Sequence, residues 1–280
     1  MKSVLITGCS SGIGKETALY LARSGFLVFA TVRREADAQK LREIGEASLV
    51  PLCPLDLNRL EHISTVRVAV QKELRARKMD GLFALVNNAG GGKPAPVELM
   101  DLEGFRSELN SRLLGSAALV QEFLPLLRQG HGRIVWIMTP AIIPTPFVAA
   151  IHACDFAANC LARTLNIELK KWKIANIMVR CGGIRTPAGL RTRADVEAVL
   201  KANVLGRMDL YQEAFRKWGE EMAEFDKKRT PPLQVARTIG KALAAKSPRK
   251  RYSLGYMSKA AAFLELLPQR LADWILSKRF

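Results

Sequence analysis

Long apolar runs are missing from this sequence. None reaches the roughly 20 residues that a membrane-spanning helix requires, so an integral membrane protein is not expected. Cysteine is sparse as well. The five present (Cys9, Cys53, Cys154, Cys160 and Cys181) form no CxxC pair and no zinc-ligand spacing, so no metal site is expected. Three of them lie in apolar segments, as reduced intracellular thiols do. The amino end has a single Lys2 and then a strand-like run, with no secretory pattern, so the expected location is the cytoplasm. Acidic residues are in short supply: 26 Asp and Glu stand against 43 Lys and Arg, a formal charge of +17. Such a surplus suits nucleic acid, an anionic membrane surface, or an acidic ligand such as a dinucleotide phosphate. The basic residues are spread along the chain, with local clusters at 227–229 and 246–251, and no nucleic-acid motif accompanies them. No nucleic-acid partner is therefore expected, and a solvated basic face is the simplest account.

What is present is enough apolar material for a large core, 49% of 280 residues, arranged with a regular rhythm. Short apolar runs at 3–7, 26–32, 49–53, 82–86, 133–138 and 174–179 read as strands. Helical patterns fill the gaps up to residue 23 and at 36–44, 59–77, 102–127, 150–171 and 233–245. Alternation of this kind predicts a doubly wound α/β fold with a parallel sheet covered on both faces. One segment, 187–231, breaks the rhythm. Its Tyr211, Phe215, Trp218, Met222 and Phe225 are spaced 4, 3, 4 and 3, which puts them on one helix face. That face either packs on its own domain or forms a lid over an apolar ligand, with Tyr211 and Trp218 lining the pocket. The main domain is expected over 1–256 and an amphipathic tail over 257–280. In the tail, apolar Phe263, Leu264, Leu266, Leu267, Leu271, Trp274 and Ile275 face Arg270, Lys278 and Arg279. Such a helix docks on its own domain or a second subunit, or lies on a membrane surface.

The most informative motif is Thr7-Gly8-Cys9-Ser10-Ser11-Gly12-Ile13-Gly14. It directly follows the first strand and opens the first helix, which is the context a dinucleotide site needs. Glycine permits the tight turn and close approach of backbone N–H groups to a pyrophosphate, and the helix N-terminus adds partial positive charge. The expected architecture is therefore a Rossmann-type single domain with a helical substrate insertion.

The TGxxxGxG spacing resembles that of the short-chain dehydrogenase/reductase family. Asn87-Asn88-Ala89-Gly90 after the fourth strand matches the family's NNAG. Asp56-Leu57 stands where the family's acidic residue meets the adenine. Gly182-Gly183-Ile184-Arg185-Thr186 is similar to the PGxxxT loop near the nicotinamide, with Cys181 in place of its proline. The likeness runs from Lys2 to about Tyr252 and is strongest toward the steroid and retinol dehydrogenase branches. It implies a cofactor site of Gly8, Ser10, Ser11, Gly12, Ile13, Gly14, Asp56, Leu57, Asn88, Ala89, Gly90, Ile184 and Thr186. The second strand ends in Thr31-Val32 followed by Arg33 and Arg34, with no acidic residue to hold a ribose 2′-hydroxyl. A guanidinium pair matches a 2′-phosphate, so the expected cofactor is NADP(H).

The family's Asn–Ser–Tyr–Lys tetrad is where the sequence departs. By register, the four positions fall on Arg112, Thr139, His152 and Phe156. In the family the lysine cation lowers the tyrosine pKa, and the tyrosine exchanges the substrate proton. A histidine near pH 6.5 needs no such cation, so losing tyrosine and lysine together is coherent if His152 is the acid or base. Asp155, three residues on, is placed to orient the imidazole or to favour its charged form. Thr139 keeps a hydroxyl, and Arg112 brings a cation toward the same cavity, with Phe156, Cys181 and Gly182 as further pocket residues. Three readings stay open. One is an NADP(H)-binding enzyme repurposed for cyclisation, isomerisation, elimination or iminium reduction on a hydrophobic ring-containing molecule. Another is a carbonyl reductase or alcohol dehydrogenase using His152, and the third a non-catalytic NADP(H)-binding sensor or scaffold. Family members often form dimers or tetramers, so a homo-oligomer is expected.

Overall fold

The computed structural model describes residues 1–190, 192–202 and 206–278. Seven strands, β1 (Lys2–Ile6), β2 (Phe26–Thr31), β3 (Leu49–Leu52), β4 (Ala84–Asn87), β5 (Arg133–Met138), β6 (Ala175–Cys181) and β7 (Arg251–Leu254), form one sheet in the order β3-β2-β1-β4-β5-β6-β7. Every pairing in it is parallel. The strands alternate between two cores, as a period of two requires. Leu5, Leu27 and Phe29 point into one cluster, while Val4, Ile6, Val28 and Ala30 point into the other. Both faces are thus buried, which is why these strands read as unbroken apolar runs.

Helices α1 (Gly12–Arg23), α2 (Glu35–Arg42), α3 (Glu61–Ala76), α4 (Leu102–Glu108), α5 (Gly115–Gln129) and α6 (Ala149–Glu168) follow the strands. One face is covered by α3, α5 and α6 through Ile63, Val70, Phe123 and Ala162. The other is covered by α1, α2 and α10 (Pro232–Ala244) through Leu21, Leu41 and Ile239. Chain order reverses between β1 and β4, and ligands of open α/β sheets bind beyond the strand ends at such a switch point. Six strands and their helices lie within a few residues of their predicted places. The seventh, β7, was not predicted: it is four residues of RYSL at a sheet edge, too short to mark a strand, with only Tyr252 and Leu254 packed against the core. The predicted helix at 102–127 is divided by a π-type turn, Leu109–Leu114, where the backbone widens between α4 and α5.

The insertion forms α7 (Pro187–Leu190), α8 (Thr192–Ala202) and α9 (Gln212–Lys227). Its aromatic face packs inward. Phe215 and Trp218 stack with ring centroids 5.9 Å apart, and Phe147 meets them edge-on at 5.0 and 5.7 Å with Val196 alongside. The tail forms α11 (Ser258–Leu264) and α12 (Gln269–Ser277). Among the described residues, no helix is long and apolar enough to cross a membrane.

Candidate active site

The glycine-rich turn and the Asn-Asn-Ala-Gly segment, 80 residues apart in sequence, form a single object. Asn88 donates its side-chain amide to Thr7 O at 2.8 Å and Gly8 O at 3.3 Å. The Thr7 hydroxyl accepts from the backbone N–H of both Asn88 and Ala89 at 2.9 Å. Gly8 takes φ +71 and Gly12 φ +56, which favour glycine. A side chain on Gly14 would place its Cβ 2.3 Å from Gly8 O. The backbone therefore curls as tightly as a pyrophosphate cradle requires. At the start of α1 the Ser11 hydroxyl makes no capping bond, and both Ser10 and Ser11 are exposed. Their hydroxyls and the helix N-terminus are available to an anion, so the residues present fit the phosphates of a dinucleotide.

Around this cradle the other predicted cofactor residues are divided in role. Arg33 and Arg34 are exposed just past β2, and Arg34 makes two bonds to Asp37, at 2.8 and 3.2 Å. The Asp56 carboxylate accepts from Asn58 N at 3.0 Å, and Leu57 is buried in the core. The Ile184 side chain is also core, while Thr186 closes on Gly12, 3.1 Å from where a Cβ would lie. Cys181 is buried, and desolvation pushes its thiol up to about 12, far from a nucleophile's range. Gly182 has no room for a side chain because Tyr256 O would lie 2.2 Å away. Trp218 is spent on the Phe147 cluster, and the Tyr211 hydroxyl donates to Glu98 at 2.7 Å.

Arg112 and Thr139, two of the four positions expected to carry the chemistry, are held by an ionic network. Arg112 donates to Asp155 at 2.6 Å, to Glu108 at 3.0 Å and to Gly91 O at 3.2 Å. Its guanidinium lies against Gly90, with Nε 2.7 Å from where a Cβ would stand. Burial opposes its charge, but the Asp155 and Glu108 carboxylates outweigh this and hold its pKa above the ordinary value. The second Asp155 oxygen accepts from Thr139 N at 2.8 Å. Thr139 O in turn accepts from Arg180, whose other nitrogen bonds the Asn159 side chain. Two carboxylates and two guanidiniums thus clamp the end of β5 between the π-type turn, α6 and β6.

This geometry corrects the expectation that Asp155 orients His152, while its carboxylate does favour the charged imidazole, the other role expected of it. Asp155 is fully engaged by Arg112 and Thr139, while His152 Nδ1 lies 3.0 Å from Ile143 O. A carbonyl only accepts, so Nδ1 carries a hydrogen, and in the neutral ring the lone pair is on Nε2. The expectation of an ionisation near 6.5 is corrected as well. Burial is the largest influence and lowers the imidazole pKa, against the opposing pull of the Ile143 bond and Asp155. Phe156 lies one turn on, its ring centroid 5.9 Å from the imidazole. Sequence reasoning passed over Glu108, although its four-residue offset from Arg112 was a visible ion-pair signal. It also passed over Arg180, only 2% exposed in a strand that is otherwise buried and mostly apolar.

A depressed histidine pKa fixes how stability depends on pH. The unfolded chain takes up the proton near 6.5, the folded chain only below that. The His152 contribution is thus complete above about 6.5 and is lost as pH falls through the window beneath it. Between about pH 7 and about pH 5 the urea midpoint of the parent should fall further than that of His152→Phe. Equal falls would show that the ring is solvated.

Comparison with known proteins is consistent with this picture. Residues 2–197 match the family model for short chain dehydrogenases. The rat estradiol 17-beta-dehydrogenase 2 is 29% identical over 100% of this chain and 75% of its own length. The 3-amino-tetrahydro-pyrrolizinone reductase of Xenorhabdus hominickii is 30% identical over 76% of this chain and 72% of its own. A short-chain dehydrogenase from Burkholderia cenocepacia, solved in complex with NADP, superposes with a TM-score of 0.74 at 19% identity, covering 99% of both chains. With a seven-stranded parallel sheet, a glycine cradle at its switch point and a family model spanning most of its length, the chain belongs to the short-chain dehydrogenase family.

Proposed function

We propose that this short-chain dehydrogenase binds NADP(H) and acts on a hydrophobic, ring-containing small molecule in a step that needs no proton donor, best met by reduction of an iminium-type cation. The observation that carries the reading is the state of the tetrad positions. His152 bonds Ile143 O through Nδ1 and burial disfavours its cation, while Arg112 is tied to two carboxylates. Neither is a free acid, and Phe156 supplies no ammonium to create one.

The cofactor's phosphates would be held by the turn of Gly8, Gly12 and Gly14, by Ser10 and Ser11, and by the first turn of α1. Arg33 and Arg34 would meet the 2′-phosphate. Asn88, Ala89, Gly90 and Thr186 border the same strand ends. When bound, NADPH supplies the hydride. A neutral His152 does not repel a cationic acceptor, and an acceptor that already carries positive charge needs no proton as it is reduced. The named relatives support both choices: one structure holds NADP, one reductase is named for a nitrogen-containing bicyclic ring, and one dehydrogenase for a steroid.

The Nε2 lone pair favours a second reading, in which His152 takes the proton of a substrate alcohol during its oxidation. Following NADPH absorbance with N-alkylated cyclic imines, which carry a fixed positive charge, and with ketones of matched shape tests the choice. Imines should be consumed, ketones about 100-fold more slowly for want of a general acid, and His152→Phe should keep the imine activity. Ketone reduction as fast as imine reduction, abolished in His152→Phe, would overturn the proposal. Oxidation of alcohols that depends on His152 would establish the second reading instead.

A further inference from the structure

The two C-terminal helices turn large apolar side chains outward. Leu266 is 83% exposed, Phe263 62%, Trp274 54% and Leu271 42%. Each aromatic has a basic neighbour at helical spacing: Lys259 four residues before Phe263, and Arg270 and Lys278 on either side of Trp274. The Lys278 ammonium sits 3.8 Å from the Trp274 ring. One of the tail's acids, Glu265, is turned away from this face into an ion pair with Arg251 at 2.7 Å. Asp273, half-buried, is the other. The tail therefore exposes Trp, Phe and Leu with cations close by in sequence.

We propose that α11 and α12 form a docking face for an anionic lipid surface. Apolar groups of this kind enter the headgroup boundary, while lysine and arginine meet lipid phosphates. The charge decides between occupants. A second copy of the chain would bring the same cations, on a molecule of net charge +17, against one another, whereas an anionic bilayer neutralises them. The tail also begins at the site. Gly183 N donates to Tyr256 O at 2.9 Å, and the Tyr256 ring lies 5.0 Å from Phe225 of α9. Arg251, the partner of Glu265, also donates to Pro140 O beside Thr139. A docked tail sets the loop after β6 and α9 against the membrane, where apolar molecules partition.

Vesicle flotation of the full chain tests this without cofactor or substrate, so its result is independent of the reaction. With phosphatidylcholine vesicles containing about one third phosphatidylglycerol, the chain should float, and high salt should release it. Tryptophan emission should shift to the blue, because Trp136 and Trp218 are already buried and Trp172 lies between Arg128 and Lys171. Trp274→Phe should still float but lose most of the shift. Phe263→Glu/Leu266→Glu/Trp274→Glu, checked by an unchanged melting temperature, should lower the bound fraction about tenfold. The proposal is overturned if the parent fails to float, or if it binds phosphatidylcholine alone equally well. It is also overturned if the triple variant floats undiminished, or if sedimentation shows a dimer that the triple variant abolishes in place of lipid binding.

Discussion

Replacing Arg112 with methionine should lower the unfolding free energy by about 3 kcal/mol in urea titrations near neutral pH, the low end of the cost of breaking a buried ion pair. The substitution keeps an unbranched apolar stem and removes the guanidinium with its charge and its donors. Asp155, whose side chain is 5% exposed, and Glu108 would then face each other's negative charge without the guanidinium that now bonds both. The Thr139 N–H would remain to Asp155, which is too little to hold an ionised carboxylate in the interior. Adding Asp155→Asn should restore part of the loss, because the amide carries no charge and can still accept from Thr139. A loss of under about 1 kcal/mol would mean that the network behaves like a solvated surface pair.

Gly14→Ala should weaken NADPH binding about 100-fold in a fluorescence titration. Two effects oppose each other here. Alanine favours a helix by about 1 kcal/mol over glycine, and Gly14 lies in the first turn of α1. Against this, the new methyl would sit 2.3 Å from Gly8 O and 2.6 Å from the Asn88 amide nitrogen. Gly8 O belongs to the cradle backbone, so relief requires opening the turn and breaking the Asn88 brace. Overpacking of this kind costs about 1–3 kcal/mol, and at tenfold per 1.4 kcal/mol the upper end gives the expected loss of affinity. The steric term wins because the contact is with backbone, which has no alternative rotamer. Unchanged affinity would show that the turn does not hold the phosphates.

Much of the fold was legible because local signals agreed with one another. The buried strands are continuous apolar runs, the glycines mark the turn, and strand–helix alternation leaves few topologies. The last strand escaped because it is short and lies at the sheet edge, where alternating Tyr252 and Leu254 meet the core in place of a continuous apolar run. The candidate site was legible in position but not in partnership. Sequence spacing put Asp155 on the His152 side of α6, yet only the folded chain brings Arg112 from 43 residues away to claim it. The same limit hid Arg180, whose partners lie 41 and 21 residues off in sequence. Helical spacing did find the aromatic face of α9, but it does not say whether such a face covers a ligand or the helix's own neighbours.

The clamp around Thr139 also bears on how this chain could change over time. Exchanging Arg112 alone for a neutral amide would strand two acids, while a tyrosine at 152 or a lysine at 156 would leave the guanidinium in place beside them. A change at Arg112 is therefore tolerated only with a matching change at Glu108 or Asp155, and the three positions vary as one unit.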